Sequence, residues 1–111
     1  MKKAFIFPLF ALILLLAGCT QGNATAEFWV RGNCEMCQET IETALNGLDG
    51  VANASYNIDL HTATVSYDSN LVTVADLHRA CAGAGYDTRK ETAIVAAYNA
   101  LSDCCKKPED Q

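Results

Sequence analysis

Within Gly32-Asn33-Cys34-Glu35-Met36-Cys37, two cysteines stand two residues apart. That gap lets both sulfurs converge on one ion as a loop curls into the first turn of a helix. The free N–H groups and partial positive charge of a helix N-terminus favour thiolate over thiol, and cysteine pKa values in such settings fall to roughly 3.5–7.5. Two thiolates on a small loop suit Cu(I), Hg(II), Cd(II) or Zn(II), and not Mg(II) or Ca(II). The same pair could serve a thiol–disulfide oxidoreductase, which also lowers a thiol pKa at a helix start. Against that alternative, the chain is short for a thioredoxin-like domain, and no proline lies between Pro8 and Pro108 to pack against the dithiol.

The chain has 111 residues and six cysteines. Beyond the central pair they are Cys19, Cys81 and the adjacent Cys104 and Cys105. Close pairs would enclose only tiny disulfide loops, which stabilise little by chain entropy. Cys104 and Cys105 could bridge each other only with strain. They read either as thiols of a solvated tail or as further metal ligands, brought back by a terminal helix to supply a third or fourth sulfur. Cys81 falls on the apolar side of a helix and reads as a small core residue. Met36 is expected to point outward, and His61 and His78 to be solvated. No Ser-His-Asp pattern, phosphate-binding glycine loop or paired catalytic carboxylates occur, so an enzymatic reading rests on the CxxC alone and the chain is expected not to be an enzyme.

The elements that position these residues follow from hydrophobic period. Glu27 to Arg31 reads as a strand, with Phe28 and Val30 on one face and Trp29 and Arg31 on the other. Ile41, Ala44, Leu45 and Leu48 form one stripe of a helix from about Glu35 to Asn46, with Gly47 at its C′ position. Ala54, Tyr56 and Ile58 share a strand face. After a turn at Asp59-Leu60-His61, Ala63, Val65 and Tyr67 alternate with Thr62, Thr64 and Ser66, which completes a hairpin with one wet face. Thr73 is the expected N-cap of a second helix, paired with Asp76 in a capping box, and Val74, Leu77, Cys81 and Ala84 face the core. Gly83 and Gly85 end it, Tyr86 to Lys90 forms a last strand, and Glu91 to Leu101 an appended helix before the tail. The order β-α-β-β-α-β predicts an α+β fold, a ferredoxin-like sandwich with a four-stranded antiparallel sheet and both helices on one face.

At the N-terminus, Met1-Lys2-Lys3 precedes an apolar run from Ala4 to Leu16 that is too short and wrongly flanked for a membrane span. The Leu16-Ala17-Gly18-Cys19 ending resembles the lipobox of bacterial lipoprotein precursors. It implies cleavage after residue 18, lipidation of Cys19 and a membrane anchor facing outside the cytoplasm, with residues 19–25 as a polar tether. Loss of Lys2 and Lys3 takes the formal net charge from −5 to −7. A chain this acidic, without a Lys/Arg cluster, is a poor partner for nucleic acid.

Val30 to Cys37, Gly50-Val51, Thr64-Val65-Ser66-Tyr67-Asp68 and Ala84-Gly85-Tyr86-Asp87 resemble, in order and spacing, the heavy-metal-associated domain of copper chaperones, copper-transporting ATPases and the periplasmic mercury-binding protein. The resemblance covers residues 26–90 and leaves 91–111 as an appended helix and Cys-Cys tail. It implies Cys34 and Cys37 as ligands, Tyr86 near the metal loop, Cu(I) as the expected cargo, and a metal donor or acceptor protein as partner. Where the family usually carries Gly-Met-x before its first cysteine, this chain has Arg31-Gly32-Asn33, so the buried methionine that steadies the loop is missing.

Overall fold

The computed structural model describes residues 22–111. Strand β1 (Ala24–Trp29) leads through a loop into helix α1 (Glu35–Asn46). Strands β2 (Val51–Asn57) and β3 (Thr62–Tyr67) follow, then helix α2 (Val74–Gly83) and a short helix α3 (Val95–Asn99), with two single 3-10 turns at Asp103–Cys105 and Pro108–Asp110. The expected signal segment, residues 1–18, and Cys19 lie outside the described residues.

The sheet is antiparallel, with β3 between β1 and β2. Alternation decides its faces: Ala54, Tyr56, Ala63, Val65 and Tyr67 are buried with Ile41 and Leu45 of α1 and Leu77 and Cys81 of α2 in one cluster. β1 begins at Ala24, earlier than Glu27, because Ala24 and Ala26 continue the inward face of Phe28 and pair with Tyr67 and Val65. The expected tether therefore gives up Ala24 and Thr25 to the sheet.

Of the expected fourth strand, Tyr86 to Lys90, the sheet retains a single bridge between Val30 and Thr88, beside an Arg31 N–H donating to the Asp87 carbonyl at 3.0 Å. The cause is Thr88. Its N–H turns to the Glu91 carbonyl at 2.8 Å, and its hydroxyl accepts from the N–H groups of Lys90 and Glu91. Backbone groups spent on that turn cannot continue a ladder.

α1 has the expected boundaries. α2 carries the full capping box: Thr73 Oγ1 accepts from the Asp76 N–H at 3.1 Å, and Asp76 Oδ2 from the Thr73 N–H at 2.9 Å. Its buried face is rotated from the expected one, with His78 and Ala82 inside and Val74 at the surface. His78, expected in solvent, stacks on Phe28 at 4.3 Å between centroids and bonds through Nδ1 to the Thr88 hydroxyl at 2.6 Å. Burial lowers its pKa.

The appended helix is shorter than Glu91 to Leu101, since residues 91–94 belong to the Thr88 turn and its exit. Ile94 and Val95 are 56% and 71% exposed, whereas Leu101 packs against the core. α3 is nevertheless held close. Gly85 has φ +104°, and a Cβ there would lie 2.9 Å from the Ala97 carbonyl oxygen. We expect Gly85→Ala to destabilise the fold by about 1–3 kcal/mol, the scale of such backbone strain, as a lower urea midpoint. Gly83→Ala meets nothing within 4 Å and is expected to be neutral or to stabilise by up to about 1 kcal/mol.

Candidate metal centre

The strand end before the loop that carries Cys34 is tied on both backbone edges. The Val30 N–H donates to the His61 carbonyl at 2.9 Å, and the Tyr56 hydroxyl donates to the Val30 carbonyl at 2.6 Å. Gly32 stands where the resemblance noted above expects a methionine. A Cβ there would come within 2.7 Å of the Tyr56 hydroxyl oxygen, so the absent side chain makes room for the buried Tyr56 ring. Cys34 then takes extended backbone as the N-cap of α1, and Cys37 points inward from the first turn, fully buried.

The structure brings four of the candidate ligands together. Cys34 Sγ lies 3.5 Å from Cys37 Sγ, 2.9 Å from Cys104 Sγ and 3.6 Å from Cys105 Sγ, and the last two are 3.9 Å apart. Cys34, Cys104 and Cys105 form a cluster with every sulfur within 4.8 Å of the others. Cys104 is exposed and Cys105 buried. Met36 is 53% exposed, as expected, yet its Sδ approaches Cys104 Sγ at 3.8 Å. Cys81 is buried on α2, where desolvation pushes its pKa up to about 12. That is the environment of an inert core thiol. His61 is half-buried in the hairpin turn, with Nδ1 3.4 Å from the Tyr56 hydroxyl.

Burial would raise the Cys34 pKa, but hydrogen bonding with Cys104 and the backbone and side chain of Cys37 outweigh it and bring it down from 9.0 to about 7. The Cys104 thiol is correspondingly raised, first by its hydrogen bond to Cys34, and Cys105 is raised by burial and by Cys37. Of these three, Cys34 is thus the sulfur most ready to ionise. Tyr86 is fully buried beside the site. Desolvation, then Cys105 and Cys37, raise its pKa, and its hydroxyl makes no hydrogen bond.

The heavy-metal-associated domain model matches residues 27–87, more than half of the chain. The chain belongs to the heavy-metal-associated domain family. It is 39% identical over 75 residues to copper-transporting ATPase 2 of Rhizobium meliloti (strain 1021), covering 67% of this chain and 9% of the ATPase. It is 36% identical over 55 residues to the copper chaperone CopZ of Staphylococcus aureus (strain JH9), covering 50% of this chain and 81% of the chaperone. Among solved structures it superposes on a CopZ metallochaperone with a TM-score of 0.57 at 33% identity, over 59% of this chain and 98% of that one. The chain therefore spans less than a tenth of the ATPase it matches. The matched heavy-metal-associated frame stops at residue 87, so the tail that delivers Cys104 and Cys105 lies beyond it.

Two residues of the site had no metal-binding signature in sequence. Arg31 donates from Nη2 to the Cys105 carbonyl at 2.7 Å, and Asn33 from Nδ2 to the Lys106 carbonyl at 2.7 Å. Arg31 also lies 5.9 Å from the Tyr86 ring centroid and 5.5 Å from that of Tyr98. Arg31 read as the outer face of a strand. The usable signal was its place with Asn33 in the segment that departs from the family's Gly-Met-x.

In the reduced, metal-free protein, alkylation of Cys34 followed by peptide mapping should rise with pH through a midpoint near 7, because the thiolate is the nucleophile. Cys104→Ala removes a stabilising hydrogen bond and should move that midpoint up towards the ordinary 9.0.

Proposed function

We propose that this chain captures a soft metal ion, Cu(I) first among them, outside the cytoplasm and passes it to a partner protein or holds it sequestered. Hg(II), Zn(II) and Cd(II) suit the same donors. One observation carries this reading: the Cys34 and Cys37 sulfurs lie 3.5 Å apart at the start of α1 in a heavy-metal-associated frame. The names of the relatives, a copper chaperone and a copper-transporting ATPase, support copper as the cargo.

Transfer follows from ligand exchange and needs no catalytic residue, so the chain acts as a carrier and not as an enzyme. An incoming partner thiolate bonds to the ion while Cys34 or Cys37 is still attached. One of the chain's own sulfurs then leaves and takes up a proton. The partner is a metal-donor or metal-acceptor protein. The Leu16-Ala17-Gly18-Cys19 signal supports a second attachment, to the membrane through lipid on Cys19 of the cell envelope protein. A thiol–disulfide oxidoreductase would use the same Cys34–Cys37 pair, but the gathering of further thiols around Cys34 favours coordination.

Titration of the reduced full chain in detergent with Cu(I), against a competing chelator and without oxygen, should show tight one-to-one binding that Cys34→Ser with Cys37→Ser abolishes. No binding by the reduced wild type would end the metal reading and leave the reduction potential of the pair as the quantity to measure. For the anchor, labelled fatty acid should enter the wild type in cells and be absent from Cys19→Ser. Equal labelling of the two would remove Cys19 as the lipid site.

A further inference from the structure

We propose that the C-terminal tail completes the metal site: Cys104 and Cys105 join Cys34 as a three-sulfur set for one soft ion, with Cys37 beside Cys34 as a further donor, and Arg31 and Asn33 latch the tail in place. The proposal rests on the metal reading above and adds who holds the ion and what governs its release.

The sulfur spacing is that of a coordination shell. Metal–sulfur bonds of about 2.3 Å place sulfurs about 3.8 Å apart in a tetrahedron and about 4.0 Å apart in a trigonal plane. The Cys34–Cys105 and Cys104–Cys105 separations are 3.6 and 3.9 Å, and Cys34–Cys37 is 3.5 Å. Cys34 and Cys104, at 2.9 Å, would spread to admit the ion, which the exposed 3-10 turn carrying Cys104 allows. These side chains are 70 residues apart in sequence, so local chain geometry does not bring them together.

The latch is separate from the sulfurs. Arg31 and Asn33 flank the metal loop and each grips a main-chain carbonyl of the tail, at Cys105 and Lys106. A charged donor makes a stronger hydrogen bond to a carbonyl than a neutral one does, and the Arg31 bond is part-buried. Tyr98 adds a further tie, its hydroxyl accepting from the Lys107 N–H at 2.8 Å and donating to Asp110 at 2.6 Å.

The buried polar groups point the same way. Among the described residues, the Tyr86 hydroxyl and Arg31 Nε are buried side-chain atoms without a hydrogen-bond partner. Such orphans are uncommon and call for a reason. Three thiolates around a monovalent ion leave a net charge of −2, and around a divalent ion −1. A buried negative charge needs donors and a cation, and the Tyr86 O–H and Arg31 guanidinium supply them beside these sulfurs.

On loading, each thiol that bonds to the ion releases its proton to solvent, and no electron is transferred. On hand-over, an acceptor thiolate forms its bond as Cys104, the exposed member, leaves and is protonated. A tethered ligand has an effective concentration in the millimolar range, so the tail re-closes unless the acceptor's second sulfur follows. The tail thereby favours holding over release.

The test uses full chain in detergent, reduced and anaerobic, loaded with Cd(II) and separately with Cu(I), with sulfurs per ion counted by X-ray absorption. We expect three or more sulfurs in the wild type and two in Cys104→Ser with Cys105→Ser, with at least tenfold weaker binding and faster loss of the ion to a small dithiol. Arg31→Met keeps every cysteine and should retain the sulfur count while releasing the ion severalfold faster, with an unchanged circular-dichroism spectrum showing that the fold survives. Two sulfurs in the wild type, or an unchanged count and affinity in the double variant, would overturn the proposal while leaving Cys34–Cys37 binding intact. A dimer sharing one ion between two Cys34–Cys37 pairs would give that second result. Binding insensitive to Cys34→Ser with Cys37→Ser would overturn the underlying metal reading as well.

Discussion

The site depends on how β1 ends. Within two residues the backbone is held from three directions: Val30 N–H to the hairpin turn at His61, the Val30 carbonyl to the Tyr56 hydroxyl, and Arg31 N–H to Asp87. A loop leaving such a fixed point has few ways to reach the first turn of α1. Cys34 becomes the N-cap and Cys37 the inward-facing residue of that turn. The anchor is itself buried, since Val30 is inaccessible and Tyr56 nearly so. Water therefore competes weakly for these hydrogen bonds, and the low local dielectric strengthens them.

The loop substitutions and the tail make sense together. Without a side chain, Gly32 admits the Tyr56 ring to the place where the family carries its methionine. On either side, Arg31 and Asn33 turn to the tail carbonyls and not to the loop itself. The loop is thus steadied from below by an aromatic residue of the sheet and from above by the chain's own C-terminus. Gly85 contributes at the far end: its left-handed backbone and missing Cβ let α3 pack against the turn that follows α2.

The competition among thiols also follows from position. Cys81 and Cys105 are buried and hard to ionise, whereas Cys34, at a helix start and surrounded by S–H and N–H groups, ionises near neutrality. An arriving cation therefore meets the Cys34 thiolate, and its own charge promotes loss of further protons.

The sequence by itself determined what short-range chemistry determines. The period-2 faces of Ala54 to Tyr67, the 3.6-residue stripe of α1, the Thr73–Asp76 capping box and the Cys34–Cys37 spacing involve neighbours a few residues apart, so they were legible and stand in the structure. Tertiary structure decided the rest. Thr88 spent its backbone and hydroxyl on a turn and reduced the fourth strand to one bridge. His78, polar by type, went inside because Phe28 and Thr88 offered it a ring and a hydrogen bond. The adjacency of Cys104 and Cys105 to Cys34 was open in the sequence, where a solvated tail and a folded-back one had the same composition. Only the three-dimensional chain path, closed by Arg31 and Asn33, distinguishes them. Contacts across 70 residues depend on where every intervening element points, and no local pattern encodes that.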